Sequence, residues 1–274
     1  LNEKQVPPRQ RKFGAGHYLR PNFIQTYDCQ NVLIKGITIH NSPMWEVHPV
    51  LSKNVIVDGI HIETLGPNND GVDPESSKNV WIKNSYFDTG DDCIAIKSGR
   101  NQDGRRIGVP SENIIVEDSR MKNGHGGIVM GSEISGGVKN VYAQNLKMDS
   151  PDLERMLRIK TSSQRGGTTQ NIYLRNIDVG TYKEAAIKAN MFYEPAGDYM
   201  PTIKNILVDN LHVENGGKYG ILIKAYKESP VKNLRVINSS IDSVDVPMKI
   251  NHAKNLQLKD VNINGKEYNQ NIDK

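Results

Sequence analysis

The chain has 274 residues, 36% hydrophobic, 6% aromatic and 24% charged, with 24 glycines, a composition that suits many short strands joined by turns better than packed helices. Against 31 acidic residues stand 35 basic ones, a net charge of +4 spread without any Lys/Arg run; this permits an acidic ligand but gives no basic, aromatic-interleaved stripe for nucleic acid. No apolar run approaches the roughly 18–20 residues of a membrane span, and Cys29 and Cys93 form neither a disulfide framework nor a CxxC pair for zinc or redox work.

In chain order, Leu1 to Gly16 is charged and contains proline, a poor cap for a stack of apolar coils. Residues 1–20 are read as an irregular segment, and N-terminal coils are expected to be missing. No signal-peptide h-region precedes the repeats, but the chain starts at Leu1 and not Met, so its compartment has to be inferred from function.

From there an Asn followed by alternating apolar residues recurs to the end of the chain. It reads Asn31-Val-Leu-Ile, Asn54-Val-Ile-Val, Asn79-Val-Trp-Ile, Asn113-Ile-Ile-Val, Asn140-Val-Tyr, Asn171-Ile-Tyr-Leu, Asn205-Ile-Leu-Val, Asn233-Leu-Arg-Val and Asn255-Leu-Gln-Leu. Successive intervals are 23, 25, 34, 27, 31, 34, 28 and 22 residues. A second short strand typically follows, as at Ile37 to Ile39, Ile60 to Ile62 and Leu211 to Val213, and no unit carries ten residues of helical periodicity. Such units cannot bury both strand faces alone, so they stack in parallel as an all-β solenoid, a parallel β-helix in one domain over 1–274. A propeller needs about 40 to 50 residues per blade. The Asn suits a turn, where its amide tolerates left-handed φ and bonds to the equivalent Asn one coil away. The polar stretch 266–274 is read as a tail able to cap the stack.

Two neighbouring coils concentrate acid: Asn68-Asn-Asp-Gly-Val-Asp73 and Gly90-Asp-Asp-Cys-Ile-Ala-Ile-Lys97. Coils about 4.8 Å apart bring Asp70, Asp73, Asp91 and Asp92 together, and like-charge repulsion raises at least one pKa to create a general acid. A single Asp-Gly is more often a turn or a calcium ligand; four acids on adjacent coils are not well explained that way. Strand alternation sends Asp91 and Asp92 to opposite faces, so an irregular backbone is predicted there. Lys97, on the same strand, lowers the net repulsion. His125 lies among Gly124, Gly126 and Gly127, where a sugar or another coil can approach closely, although such a His is by default a turn residue. Arg158 and Lys160 flank Ile159 and share the face opposite it, as a solvated pair or a carboxylate clamp. Trp45 and His48 are candidates for lining a sugar subsite, with core packing an equal reading for the Trp.

In order, Asn68-Asn69-Asp70-Gly71, Gly90-Asp91-Asp92, Gly124-His125-Gly126 and Arg158-Ile159-Lys160 resemble the motifs of glycoside hydrolase family 28, the polygalacturonases, and the similarity runs from about Asn22 to the C-terminus. The resemblance implies a right-handed parallel β-helix and an inverting hydrolase of α-1,4-galacturonosyl linkages in pectin. Asp91 would be the general acid, kept protonated by His125, and Asp70 with Asp92 would activate the water. Inversion calls for carboxyls roughly 6.5–9.5 Å apart. Arg158 and Lys160 would bind the uronate carboxylate, and Tyr193 would contact the sugar.

No metal or cofactor is implied, since carboxyls can both protonate and activate water. The implied partner is an acidic polysaccharide or oligogalacturonate, met by a secreted or periplasmic monomer, with no nucleic acid and no membrane. The chain departs from the family pattern at Asn69, where Thr is usual, and at Met121, which excludes the fungal disulfide to Cys93. Gly90, where many internally cleaving members carry Gln, and Gly131-Ser-Glu133 resemble bacterial exo-acting members. A rhamnogalacturonan hydrolase, a pectate lyase and a non-catalytic glycan-binding β-helix are the competing readings.

Overall fold

The structure, a computed structural model, describes residues 6–16 and 20–274. Of the segment read as irregular, residues 1–5 and 17–19 lie outside the described residues; the remainder holds one 3-10 turn at Pro8–Gln10 and an ion pair from Arg11 to Asp103.

The repeats form a parallel β-helix. One long sheet runs through the Asn-led strands, from Gln30–Lys35 and Lys53–Asp58 to Leu256–Ile263, every rung parallel to the next. A six-stranded sheet stacks Asp92–Ile96, Gly126–Gly131, Arg155–Lys160, Ala185–Asn190, Tyr219–Lys224 and Val246–Asn251. Parallel bridges at Val47–Val72 and Val72–Ile94 continue that second face back to the strands Val47–Val50 and Ile24–Tyr27. The helix is right-handed.

Register explains why the repeat is needed. Val55, Val80, Ile114, Val141, Ile172, Ile206 and Leu234 are successive Cα partners, and all are buried. Each strand alone would leave this apolar column wet; stacking removes it from water at roughly 25 cal/mol per Å².

The predicted Asn ladder is present. Each amide from Asn54 to Asn255 donates to the Oδ1 of the preceding member, beginning at Asn31, over 2.9–3.1 Å. All nine have φ between 54° and 59°, the left-handed region in which Asn is tolerated. A second ladder passes from Asp118 through Asn145 and Asn176 to Asn210, its first member an Asp in the role the three Asn fill after it.

Two features differ from expectation. The interval from Asn79 to Asn113 is long because it accommodates a seven-residue helix, Asn101–Ile107. The C-terminal stretch is more than a polar tail: Lys266–Ile272 is a strand that pairs antiparallel with Leu256–Ile263, closing the long sheet with a reversed edge. A hairpin at Gly265, with φ of +77°, makes that reversal possible.

Candidate active site

The acidic cluster sits where the six-stranded sheet meets the coil before it. Thr89 ends one strand, the chain bends at Gly90 and Asp91, and the next strand begins at Asp92. This is the predicted irregularity, and it lets neighbouring aspartates reach one place. Gly90 is required there: a Cβ would stand 2.2 Å from the carbonyl oxygen of Gly66 and 2.5 Å from the carbonyl carbon of Leu65. A Gln cannot occupy this position without displacing the 65–66 turn. Gly124 has a similar role, since its Cβ would lie 2.7 Å from the Asp91 carbonyl oxygen.

One oxygen from each of Asp70, Asp91 and Asp92 lies within 4.8 Å of the others. That is narrower than the roughly 6.5–9.5 Å gap expected for inversion, and Asp92 is also paired with two cations. Arg158 Nη1 approaches Asp92 Oδ1 at 3.2 Å and Lys160 Nζ approaches Oδ2 at 2.6 Å, all three groups being buried. The clamp residues therefore share the predicted face, and both pair with Asp92. Tyr193 covers them, its ring centre 5.3 Å from both Arg158 Cζ and Lys160 Nζ.

His125 joins the cluster from the next coil. Its backbone N–H donates to the Asp91 carbonyl at 2.9 Å, and its Nδ1 lies 2.9 Å from Asp91 Oδ1. The hydrogen bond to Asp91 raises the imidazole pKa. Burial acts to raise that of Asp91, but the His125 hydrogen bond and the charge of Lys160 outweigh it and bring it down. Both shifts favour imidazolium beside carboxylate over two neutral groups, a direction opposite to the expected one in which His125 keeps Asp91 protonated. Burial, with repulsion from Asp92 and Asp91, pushes Asp70 up to about 7 against the opposing charge of Lys97.

Trp45 and His48 divide. Trp45 is half-buried at the site, its ring centre 4.3 Å from Lys97 Nζ. His48 is buried and fully engaged, with Nε2 2.8 Å from Glu75 Oε2 and Nδ1 2.6 Å from Asn22 Nδ2, so it packs and does not face a ligand. Cys93 is free and buried, and desolvation pushes its thiol up to about 12. Sequence reading passed over Glu46 and used Glu133 only as a branch marker. Glu46 is buried beside Asp70 and lifted by desolvation to about 8. Lys97, Lys160 and Arg165 outweigh burial and hold Glu133 down to about 2. An acid within a buried-strand pattern was the available signal for Glu46.

The three aspartates are close enough to ligate a cation, but Lys97, Arg158 and Lys160 already supply the compensating charge. Three carboxylates, an imidazole and two buried cations thus gather on one face of a right-handed parallel β-helix. Residues 12–218 match the family described as glycosyl hydrolases family 28, and the chain belongs to that family.

A probable polygalacturonase of Vitis vinifera is 33% identical over 212 residues, 74% of this chain and 42% of that protein. An exo-poly-alpha-D-galacturonosidase of Dickeya chrysanthemi is 30% identical over 205 residues, covering 70% and 34%. The crystal structure of a hyperthermoactive exopolygalacturonase from Thermotoga maritima superposes with a TM-score of 0.95 at 44% identity, covering 99% of this chain and 61% of that one. The chain thus spans less than half the length of these two sequence relatives.

Proposed function

We propose that the chain is the catalytic β-helix of an exo-acting polygalacturonase that hydrolyses α-1,4-galacturonosyl linkages in pectin. The observation that carries this is the convergence of Asp70, Asp91, Asp92 and His125 beside the two buried cations Arg158 and Lys160. Asp91 protonates the glycosidic oxygen and His125 replenishes its proton across their 2.9 Å contact. Asp70 and Asp92 orient and deprotonate the attacking water. Asp92 has both oxygens occupied by cations, which makes it a weak base and a poor nucleophile, so its part is to orient the water that Asp70 deprotonates; this supports water attack, hence inversion, despite the close spacing. Arg158 and Lys160 are placed to share their charge with a uronate carboxylate, under which the ring of Tyr193 offers a sugar-stacking surface.

Exo action is supported by the names of the Dickeya and Thermotoga proteins and by Gly90, whose missing side chain allows the 65–66 turn to crowd the cluster. The enzyme works without a metal or cofactor, as a monomer in a secreted or periplasmic setting where pectin is met. Among the described residues no helix is long and apolar enough to cross a membrane.

Digestion of polygalacturonate with and without chelator, with products separated over time and the first anomer formed read by proton NMR, tests each part. The expected result is monomer from the outset as the inverted anomer, insensitive to chelator. A product ladder defeats exo action, a retained anomer defeats water attack, and an unsaturated end group defeats hydrolysis. Preference for rhamnogalacturonan would replace the substrate assignment.

A further inference from the structure

Beneath the aspartates lies a buried cation that neither protonates nor binds sugar in the mechanism above. Lys97 Nζ stands 3.4 Å from Asp70 Oδ2, 3.4 Å from Glu133 Oε2 and 3.9 Å from Asp73 Oδ1, with its side chain 3% exposed. The Trp45 ring shields it from the cleft side. Asp70 Oδ1 has no hydrogen-bond partner among the described residues, so Lys97 holds one oxygen of this carboxylate while the other is left free.

Glu133 is itself fixed. Ser132 Oγ lies 3.1 Å from its Oε1, and Arg165 Nη2 lies 3.9 Å from that oxygen and 2.9 Å from Glu194 Oε1. Charges thus alternate from Asp70 through Lys97, Glu133 and Arg165 to Glu194, next in sequence to Tyr193. A lysine in so closed a site, with its flexible stem, has its position set by these anions.

We propose that Lys97, braced by Glu133, is a positioning residue for the reaction: its ammonium fixes Asp70 through one oxygen and favours the anionic form of that carboxylate. This rests on the reading of Asp70 as part of the base. The groups facing Asp70 and Lys97 are Glu46 and Asp73 below, Asp91 and Asp92 from the next coil, Glu133 from the turn beyond, and Lys160 from the clamp. Burial, Asp92 and Asp91 work against ionisation of Asp70, and Lys97 is the largest opposing charge.

The test compares Lys97→Met, Lys97→Arg and Glu133→Gln by the pH dependence of kcat/KM on polygalacturonate. In parallel, the Asp70 side-chain carboxyl is titrated by carbon-13 NMR in the substrate-free protein. Loss of the ammonium should raise the Asp70 midpoint and the acidic limb by about one pH unit or more, which is about tenfold in rate below both midpoints. Lys97→Arg should recover most of that shift, and Glu133→Gln, leaving Lys97 less compensated, should move both midpoints down. A purely structural lysine would alter melting without these opposite displacements.

Unchanged Asp70 midpoints in Lys97→Met and Glu133→Gln overturn the proposal. If Lys97→Met does not fold, the downward shift in Glu133→Gln and the midpoint in Lys97→Arg decide it. If the unsubstituted protein leaves polygalacturonate intact, the functional reading fails, and the carboxyl titration still decides the role of Lys97.

Discussion

His125 Nδ1 lies 2.9 Å from Asp91 Oδ1, and that contact moves the pKa of the imidazole up and that of the carboxyl down. In the proposed mechanism this pair holds the proton that Asp91 delivers to the glycosidic oxygen. Activity needs that proton present and Asp70 ionised, so kcat/KM should rise as pH passes the Asp70 value of about 7 and fall as pH passes the raised His125 value. His125→Gln should lower kcat by about 10²-fold or more, and Asp91→Asn should abolish turnover with an unchanged melting curve. A pH–rate profile without an acidic limb near neutrality would contradict the assignment.

Lys160 and Arg158 jointly neutralise Asp92, which is fully buried. Lys160→Met leaves that carboxylate with one cation and should destabilise the fold by about 1–3 kcal/mol. The same change should raise KM for oligogalacturonates far more than for a neutral-sugar analogue. Denaturant unfolding and steady-state kinetics measure the two effects separately.

Glu46 and Asp70 are lifted from the ordinary carboxylate range to about 8 and about 7, in both cases chiefly by burial. Because the folded state binds these protons more tightly than the unfolded chain, their contribution to stability is complete below about pH 4 and is lost as pH rises toward 7 and 8. Glu46→Gln should accordingly melt higher than the unsubstituted protein at pH 9, and the difference should vanish near pH 4. Calorimetry across that range checks the sign.

Asn140 stands inside the turn ladder, donating to Asn113 and accepting from Asn171, with φ of 57°. Alanine there loses two hydrogen bonds and keeps an unfavourable backbone, a cost of about 2–4 kcal/mol. Glycine, free of the backbone penalty, should cost less. Equal losses for the two substitutions, read from urea midpoints, would show that the φ preference is irrelevant.

The β-helix was legible in the chain because its physics is periodic. An Asn that accepts left-handed φ, followed by alternating apolar residues at intervals of 22 to 34, can bury its strands only by stacking on copies of itself. The four short motifs containing Asp70, Asp91, His125 and Arg158 were legible through their resemblance to glycoside hydrolase family 28 and not through the repeat. The bend at Asp91 followed from alternation alone.

What only the tertiary structure decided is how charge is shared between rungs. Sequence places Arg158 and Lys160 on one face but cannot show them bound to Asp92, nor assign the His125 proton, because both depend on distances of a few ångströms and on burial. Lys97 read as a general neutraliser until Asp70 and Glu133 were found on either side of it. Periodicity sets which residues share a rung; electrostatics in a low-dielectric interior depends on which atoms meet across rungs, and that emerges only when the coils close on one another.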